Sequence, residues 1–227
     1  MEAIVLAGGI GSRLSSVLPG VPKGMAPIGG KPFLEILLST LQLKGIRRII
    51  FSLGHKAEVV QTCFGSTFQG MDLVYSTESS PLGTGGATRA AMPMALSSSV
   101  FIVNGDTLVD LDYQEMYRAH CAASAKASIA VSRVDDTARY GRIVVTSGRV
   151  TGFEEKKLSG VGDINTGVYL LNQGVFDPFD LPDAFSIESG FFSPHLAALN
   201  PLVYRTTGYF IDIGTPEDFA RAQLELT

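Results

Sequence analysis

The chain has 227 residues, a formal net charge of −4 and 45% hydrophobic residues, which is the make-up of one globular domain large enough to bury a good core. The acidic balance argues against nucleic acid as a partner, so any anionic ligand must be gripped by a local cluster of basic residues. No apolar run approaches the ~18 residues of a membrane span. No signal peptide is read ahead of the first strand. Cys63 and Cys121 lack metal or redox spacing and sit in apolar helical contexts, so buried free thiols and a reducing, cytoplasmic setting are expected.

Ala3 to Ala7 form a short apolar run that reads as a buried parallel strand. Gly8, Gly9, Gly11 and Ser12 follow, then Arg13 and Leu14. A strand, a glycine-rich turn and a helix start leave several N–H groups pointing outward together, a nest suited to phosphate. Arg13 adds a planar, permanently charged fork. The spacing fits neither the dinucleotide fingerprint nor the P-loop. An ordinary strand-to-helix turn is the alternative. Pro22-Lys23 and Gly29-Gly30-Lys31-Pro32 lie shortly downstream.

Helical spacing of Phe33, Ile36, Leu37 and Leu41 predicts a helix over Pro32–Lys44, ended by Gly45. Then come a strand (Arg47–Leu53), a helix (Ala57–Phe64), a strand (Met71–Ser76) and a helix (Gly85–Leu96) that Pro93 should end or kink. Val100–Val103 is a strand, Asp112–Ala123 a helix and Ala127–Val134 a strand. This alternation implies parallel strands with helices on both faces. Ligands of such sheets collect at the carboxyl ends of the strands. The Gly-rich turn, Glu78–Gly86 and Asn104-Gly105-Asp106 each follow a strand, so the three should meet on one edge. The second half has shorter connections: strands Arg142–Val145, Arg149–Glu155 and Ile164–Leu171, a helix within Ser186–Leu199, and strands Leu202–Thr206 and Tyr209–Ile213. Thr215, Pro216, Glu217 and Asp218 then cap and start a last helix. The fold expected is α/β, a Rossmann-like, mixed, mainly parallel central sheet flanked by helices. It forms a single domain over residues 1–227, with a nucleotide-binding half at 1–135 and a sugar-phosphate-binding half at 136–227.

Asp106 closes an apolar strand beside Gly105, a good place for Mg²⁺, although an Asx-type turn fits equally. Asp212, a lone acid between two isoleucines, needs a cation or a hydrogen-bonded partner if buried. The small-residue loop Glu78–Ala87 can fold closely over a base or ribose, or can be plain surface loop. Phe153-Glu154-Glu155-Lys156-Lys157 ends a strand, and a solvated charge run is its rival reading. Asn165 has donors and an acceptor suited to a sugar, and Gly167 permits close approach; ordinary strand-start residues are the alternative. His55, His120 and His195 show neither metal nor triad spacing, and no serine, cysteine or histidine arrangement suggests a covalent intermediate.

Leu6-Ala7-Gly8-Gly9-x-Gly11-x-Arg13-Leu14 followed by Pro22-Lys23 resembles the signature of the sugar-1-phosphate nucleotidyltransferases, and later motifs agree over nearly the whole chain. The resemblance implies transfer of a nucleoside monophosphate to a sugar 1-phosphate with release of pyrophosphate. Arg13, Lys23 and Asp106 would be catalytic, and Asp106 and Asp212 would hold Mg²⁺. Leu6, Ala7, Gly8, Gly9, Gly11, Ser12, Arg13, Lys23, Glu78, Pro81, Leu82, Gly83, Thr84, Gly85, Asn104 and Gly105 would surround the nucleotide, with Glu78 reading guanine. Gly141, Glu155, Lys156, Asn165, Thr166 and Tyr169 would bind the sugar phosphate. Lys157 stands where relatives have a proline. Pro81-Leu82-Gly83-Thr84-Gly85-Gly86-Ala87 resembles guanylyltransferases, and the overall likeness is greatest to those acting on D-glycero-D-manno-heptose 1-phosphate, which serve bacterial surface polysaccharide. The substrates implied are GTP and that sugar phosphate. Mannose-1-phosphate guanylyltransferases, uridylyltransferases and a non-catalytic nucleotide-sugar-binding subunit are the alternatives. A homodimer is the expected assembly, with neither nucleic acid nor membrane as a partner.

Overall fold

The N-terminal apolar run forms strand β1 (Glu2–Leu6), in a computed structural model that describes residues 1–9, 20–154 and 160–226. Strands β2 (Pro27–Ile28) and β3 (Lys31–Pro32) make a small hairpin ahead of helix α1 (Phe33–Leu43). Then come β4 (Arg48–Leu53), α2 (Ala57–Phe64), β5 (Thr67–Phe68), β6 (Met71–Thr77), α3 (Gly83–Ala91), β7 (Ser99–Asn104), β8 (Thr107–Val109), α4 (Tyr113–Ala122) and β9 (Ala127–Val134). The second half supplies β10 (Arg142–Thr146), β11 (Arg149–Glu154), β12 (Gly162–Asn172), a π-helical turn over Ile187–Phe192, α5 (Ser193–Leu199), β13 (Leu202–Thr206), β14 (Phe210–Asp212) and α6 (Pro216–Glu225).

Ten of these strands form one sheet in the order β10-β11-β13-β9-β12-β7-β1-β4-β6-β5. β1 runs parallel to β4 and β7, and β4 parallel to β6. With partners on both sides and helices on both faces, β1 is apolar at every position after Glu2 rather than alternating. The expectation of mainly parallel pairing therefore holds in the first half. In the second half β12 joins β7, β9 and β10 antiparallel, and β11 joins β10 antiparallel through a two-residue turn. β14 pairs with β8 in a separate two-stranded ribbon.

The pleat sends alternate β1 residues to opposite cores. Ala3 and Val5 face Phe33, Leu34, Leu37, Leu38 and Leu41, the apolar stripe of α1; Ile4 faces the core that holds Ala91, Phe185, Phe191 and Phe192. Asp112 caps α4 by accepting from the Glu115 N–H at 2.9 Å, and Thr215 caps α6 through the Asp218 N–H at 3.2 Å. Pro93 ends α3, which continues only as a 3₁₀ turn over Met92–Met94. The expectation for the cysteines is corrected: Cys63 and Cys121 are both exposed, because each falls on the outward stripe of its helix. Among the described residues no helix is long and apolar enough to cross a membrane.

Candidate active site

Three loops leave the carboxyl ends of β1, β6 and β7 and meet around a cavity of about 410 Å³. Leu6, Ala7, Gly8 and Gly9 line it from the first loop, Glu78, Pro81, Gly83 and Thr84 from the second, and Asn104, Gly105 and Asp106 from the third. Ser52, Lys23, Gly24 and Ala87 complete the wall. The loops are tied through the main chain: the Ala7 N–H donates to Ser52 O and the Gly105 N–H to Leu6 O, each at 2.9 Å. Gly11, Ser12 and Arg13, expected to continue the first loop, lie outside the described residues.

The charged centre sits at Asp106. Lys23, on a short 3₁₀ turn after Pro22, places its Nζ 2.5 Å from Asp106 Oδ2 and 3.4 Å from Asp212 Oδ1. The two aspartates are distant in sequence, one mid-chain and one near the C-terminus, yet the β8–β14 ribbon sets Asp212 opposite Thr107, one residue from Asp106. Burial pushes the Asp212 carboxyl above its ordinary pKa, and the neighbouring Asp106 charge pushes the same way; Lys23 and the Gly214 N–H, 2.7 Å from Oδ1, pull against them. A paired acidic site of this kind attracts a cation. Two carboxylates beside a cavity of this size suit Mg²⁺, which takes its remaining ligands from phosphate oxygens and water.

Glu78 accepts from the Leu82 N–H at 3.2 Å, and its other oxygen is so close to Gly8 and Gly54 that a Cβ at either would fall within 3.0 Å of it. One of its oxygens thus organises the loop. Leu82 and Gly85, expected on the nucleotide, are absent from the cavity wall. Gly85 lies under the Phe185 ring, where a Cβ would fall 2.2 Å from a ring carbon, and its N–H donates to Phe185 O at 2.9 Å. Its small size serves packing of α3 on the 183–187 segment.

A second cavity, of about 530 Å³, opens among Tyr140, Gly141, Arg142, Ile143, Phe153, Glu154, Asn165, Glu188, Ser189 and Ser193. Gly141 and Asn165, both read from the sequence as sugar-phosphate residues, are on its wall. The register of β12 against β9 shifts between Asn165 and Tyr169, a bulge that re-aims the strand. Gly167 occupies that bulge with φ +73°, and a Cβ there would fall 2.4 Å from Asn104 Nδ2. Two placements differ from expectation. Thr166 is buried and donates its hydroxyl to Ala130 O at 2.9 Å, so it serves the sheet. Tyr169 is buried behind the wall, reaching it only through its phenol. Glu155 and Lys156 lie outside the described residues. Sequence reasoning gave no role to Arg142, Glu154 or Glu188, which share the wall, although Glu154 sits in the 153–157 run.

Two of the histidines pack within the fold. His120 is buried, with Nδ1 2.7 Å from Ser128 Oγ and Nε2 2.8 Å from Asn172 Oδ1. His195 packs on Phe179 and Phe191.

The chain is 40% identical over 226 residues to the D-glycero-alpha-D-manno-heptose 1-phosphate guanylyltransferase of Aneurinibacillus thermoaerophilus, covering 100% of this chain and 98% of that one. It is 38% identical over 220 residues to the enzyme of the same name from Campylobacter jejuni, covering 96% and 97%. A crystal structure of HddC from Yersinia pseudotuberculosis complexed with GMP-PN superposes with a TM-score of 0.88 at 34% identity, over 100% of this chain and 99% of that one. The nucleotidyl transferase family model matches residues 2–227, and the chain belongs to that family.

Proposed function

We propose that the chain transfers GMP from GTP to a sugar 1-phosphate, D-glycero-D-manno-heptose 1-phosphate, giving GDP-heptose and pyrophosphate for bacterial surface polysaccharide. The reading is supported by the names of the two full-length relatives and by the nucleotide analogue in the Yersinia structure. The observation that carries the chemistry is the convergence of Asp106 and Asp212 on Lys23 Nζ at the mouth of the loop cavity.

The attacking oxygen of a sugar phosphate is already anionic at neutral pH and needs no general base. The barrier is repulsion between two anionic phosphates, so positioning and positive charge carry the acceleration. Mg²⁺ held by Asp106 and Asp212 would screen that repulsion when bound. Lys23 supplies a further cation beside the same carboxylates, and the small residues Ala7, Gly8, Gly9 and Gly105 leave room for the donor phosphates. Arg13 and Lys156 are proposed, on sequence, to grip the donor and acceptor phosphates. A site working on GTP belongs in the cytoplasm.

Pyrophosphate release, measured with four nucleoside triphosphates against heptose, mannose and N-acetylhexosamine 1-phosphates in magnesium buffer, tests the reading. The expected result is turnover with GTP and the heptose phosphate above every other pair. A preference for UTP or dTTP would overturn the guanine assignment, and a preference for mannose 1-phosphate would overturn the heptose.

A further inference from the structure

The wall of the second cavity carries a carboxylate that none of the sequence motifs marked. Glu188 is exposed on the π-helical turn, yet its side chain is held. Its Oε1 accepts from Asn165 Nδ2 at 2.5 Å and from the Tyr169 hydroxyl at 3.1 Å, and Asn165 Nδ2 is also 2.7 Å from that hydroxyl. Tyr169 is 1% exposed, so a buried, immobile phenol fixes the position of a solvent-facing carboxylate. The main chain is fixed as well: the Ile187 N–H donates to Thr84 Oγ1 at 2.9 Å, and Ser186 accepts from the Ser189 N–H at 3.3 Å. Oε2 makes no hydrogen bond among the described residues, and Glu188 lines a cavity whose other walls include Arg142, Glu154, Asn165, two serines and Phe153.

The cavity has two distinguishable ends. Tyr140 packs edge-on against Phe210 at 5.5 Å, two residues from Asp212, so this end is nearest the paired aspartates. Glu188, Ser189 and Ser193 form a separate wall, contributed by the π turn and α5. A sugar phosphate entering with its phosphate on the Tyr140 side would carry its remote carbons toward the Glu188 wall. An ionised carboxylate only accepts hydrogen bonds, so its free oxygen selects hydroxyl donors.

We propose that Glu188 is a specificity-determining residue, reading with Oε2 the hydroxyls that a seven-carbon acceptor carries beyond its ring. This rests on the proposed acceptor class. It is tested with the full-length chain, wild type and Glu188→Gln, using GTP with heptose 1-phosphate and with mannose 1-phosphate. Glutamine keeps an oxygen for Asn165 and Tyr169 but puts an NH₂ donor where the acceptor oxygen was. The expected loss in kcat/KM is about thirty-fold for the heptose phosphate and under about three-fold for the mannose phosphate, the latter read by competitive inhibition if its turnover is slow, with the KM for GTP unchanged. Glu188→Ala should show the same split. Equal losses on both acceptors would make Glu188 a support of the cavity and overturn the selectivity role alone. A wild-type enzyme without turnover on heptose 1-phosphate would overturn the proposed function and this role together.

Discussion

The two cavities of this molecule are built differently. The first is a main-chain site: three loops at the ends of parallel strands bring small residues and amides together, with Lys23, Glu78 and the Asp106–Asp212 pair for charge. The second is a side-chain site, assembled from β10, β11, β12 and the 187–193 segment, all within residues 140–193, whereas the first draws on residues 6–106. A main-chain site is intolerant of added bulk but indifferent to most side-chain chemistry. A side-chain site can be retuned one residue at a time, which suits the part of a transferase that chooses its acceptor.

The contrast is sharpened first at the charged centre. Asp106→Ala should lower turnover about a thousand-fold while unfolding stays cooperative at a similar temperature, since the carboxylate is partly exposed and, among the described residues, its polar partners are Lys23 and its neighbour Thr107. Near-wild-type rates in magnesium buffer would remove it from the chemistry. Lys23→Ala should cost about a hundred-fold in kcat. That variant also leaves two carboxylates facing each other, so its melting temperature should rise more on adding Mg²⁺ than the wild type's does; equal responses would show that the lysine does not balance the pair.

A smaller effect, on stability, tests the main-chain side. Gly85→Ala places a methyl group against the Phe185 ring and should destabilise the fold by about 1–3 kcal/mol in urea titrations. An unchanged midpoint would mean that α3 is not fixed on the 183–187 segment. The smallest effect is a pH dependence remote from both cavities. Burial lowers the His120 pKa below its ordinary value, with the Asn172 hydrogen bond opposing. The unfolded chain, with an ordinary histidine, then binds the proton more tightly, so this residue's share of stability is complete above about pH 6.5 and falls as pH drops through that value toward the folded pKa. His120→Gln should flatten that part of the pH–stability curve; a curve identical to wild type would contradict it.

The same contrast explains what the sequence made legible. Hydrophobic period and turn residues placed Ala57–Phe64, Ala127–Val134 and Leu202–Thr206 at their observed limits, because these elements follow local rules. The loop cavity was legible because glycines and a terminal aspartate mark strand ends in a contiguous string. Glu188 was not, because nothing in Ser186-Ile187-Glu188 shows that a bulge 21 residues earlier would bring Asn165 and Tyr169 to its carboxylate. Gly85 and Thr166 were read as ligand contacts for a related reason. Their motifs are local, but the partners that claim them, Phe185 and Ala130, are set by tertiary packing.

The central claim is that Asp106 and Asp212 act as one cation-holding pair beside the nucleotide. Binding of Mn²⁺, followed by electron paramagnetic resonance with a non-hydrolysable GTP analogue present, tests it most directly. The wild type should bind one ion, and Asp106→Ala and Asp212→Ala should each weaken that binding about a hundred-fold. Undiminished Mn²⁺ binding in either variant would contradict the account.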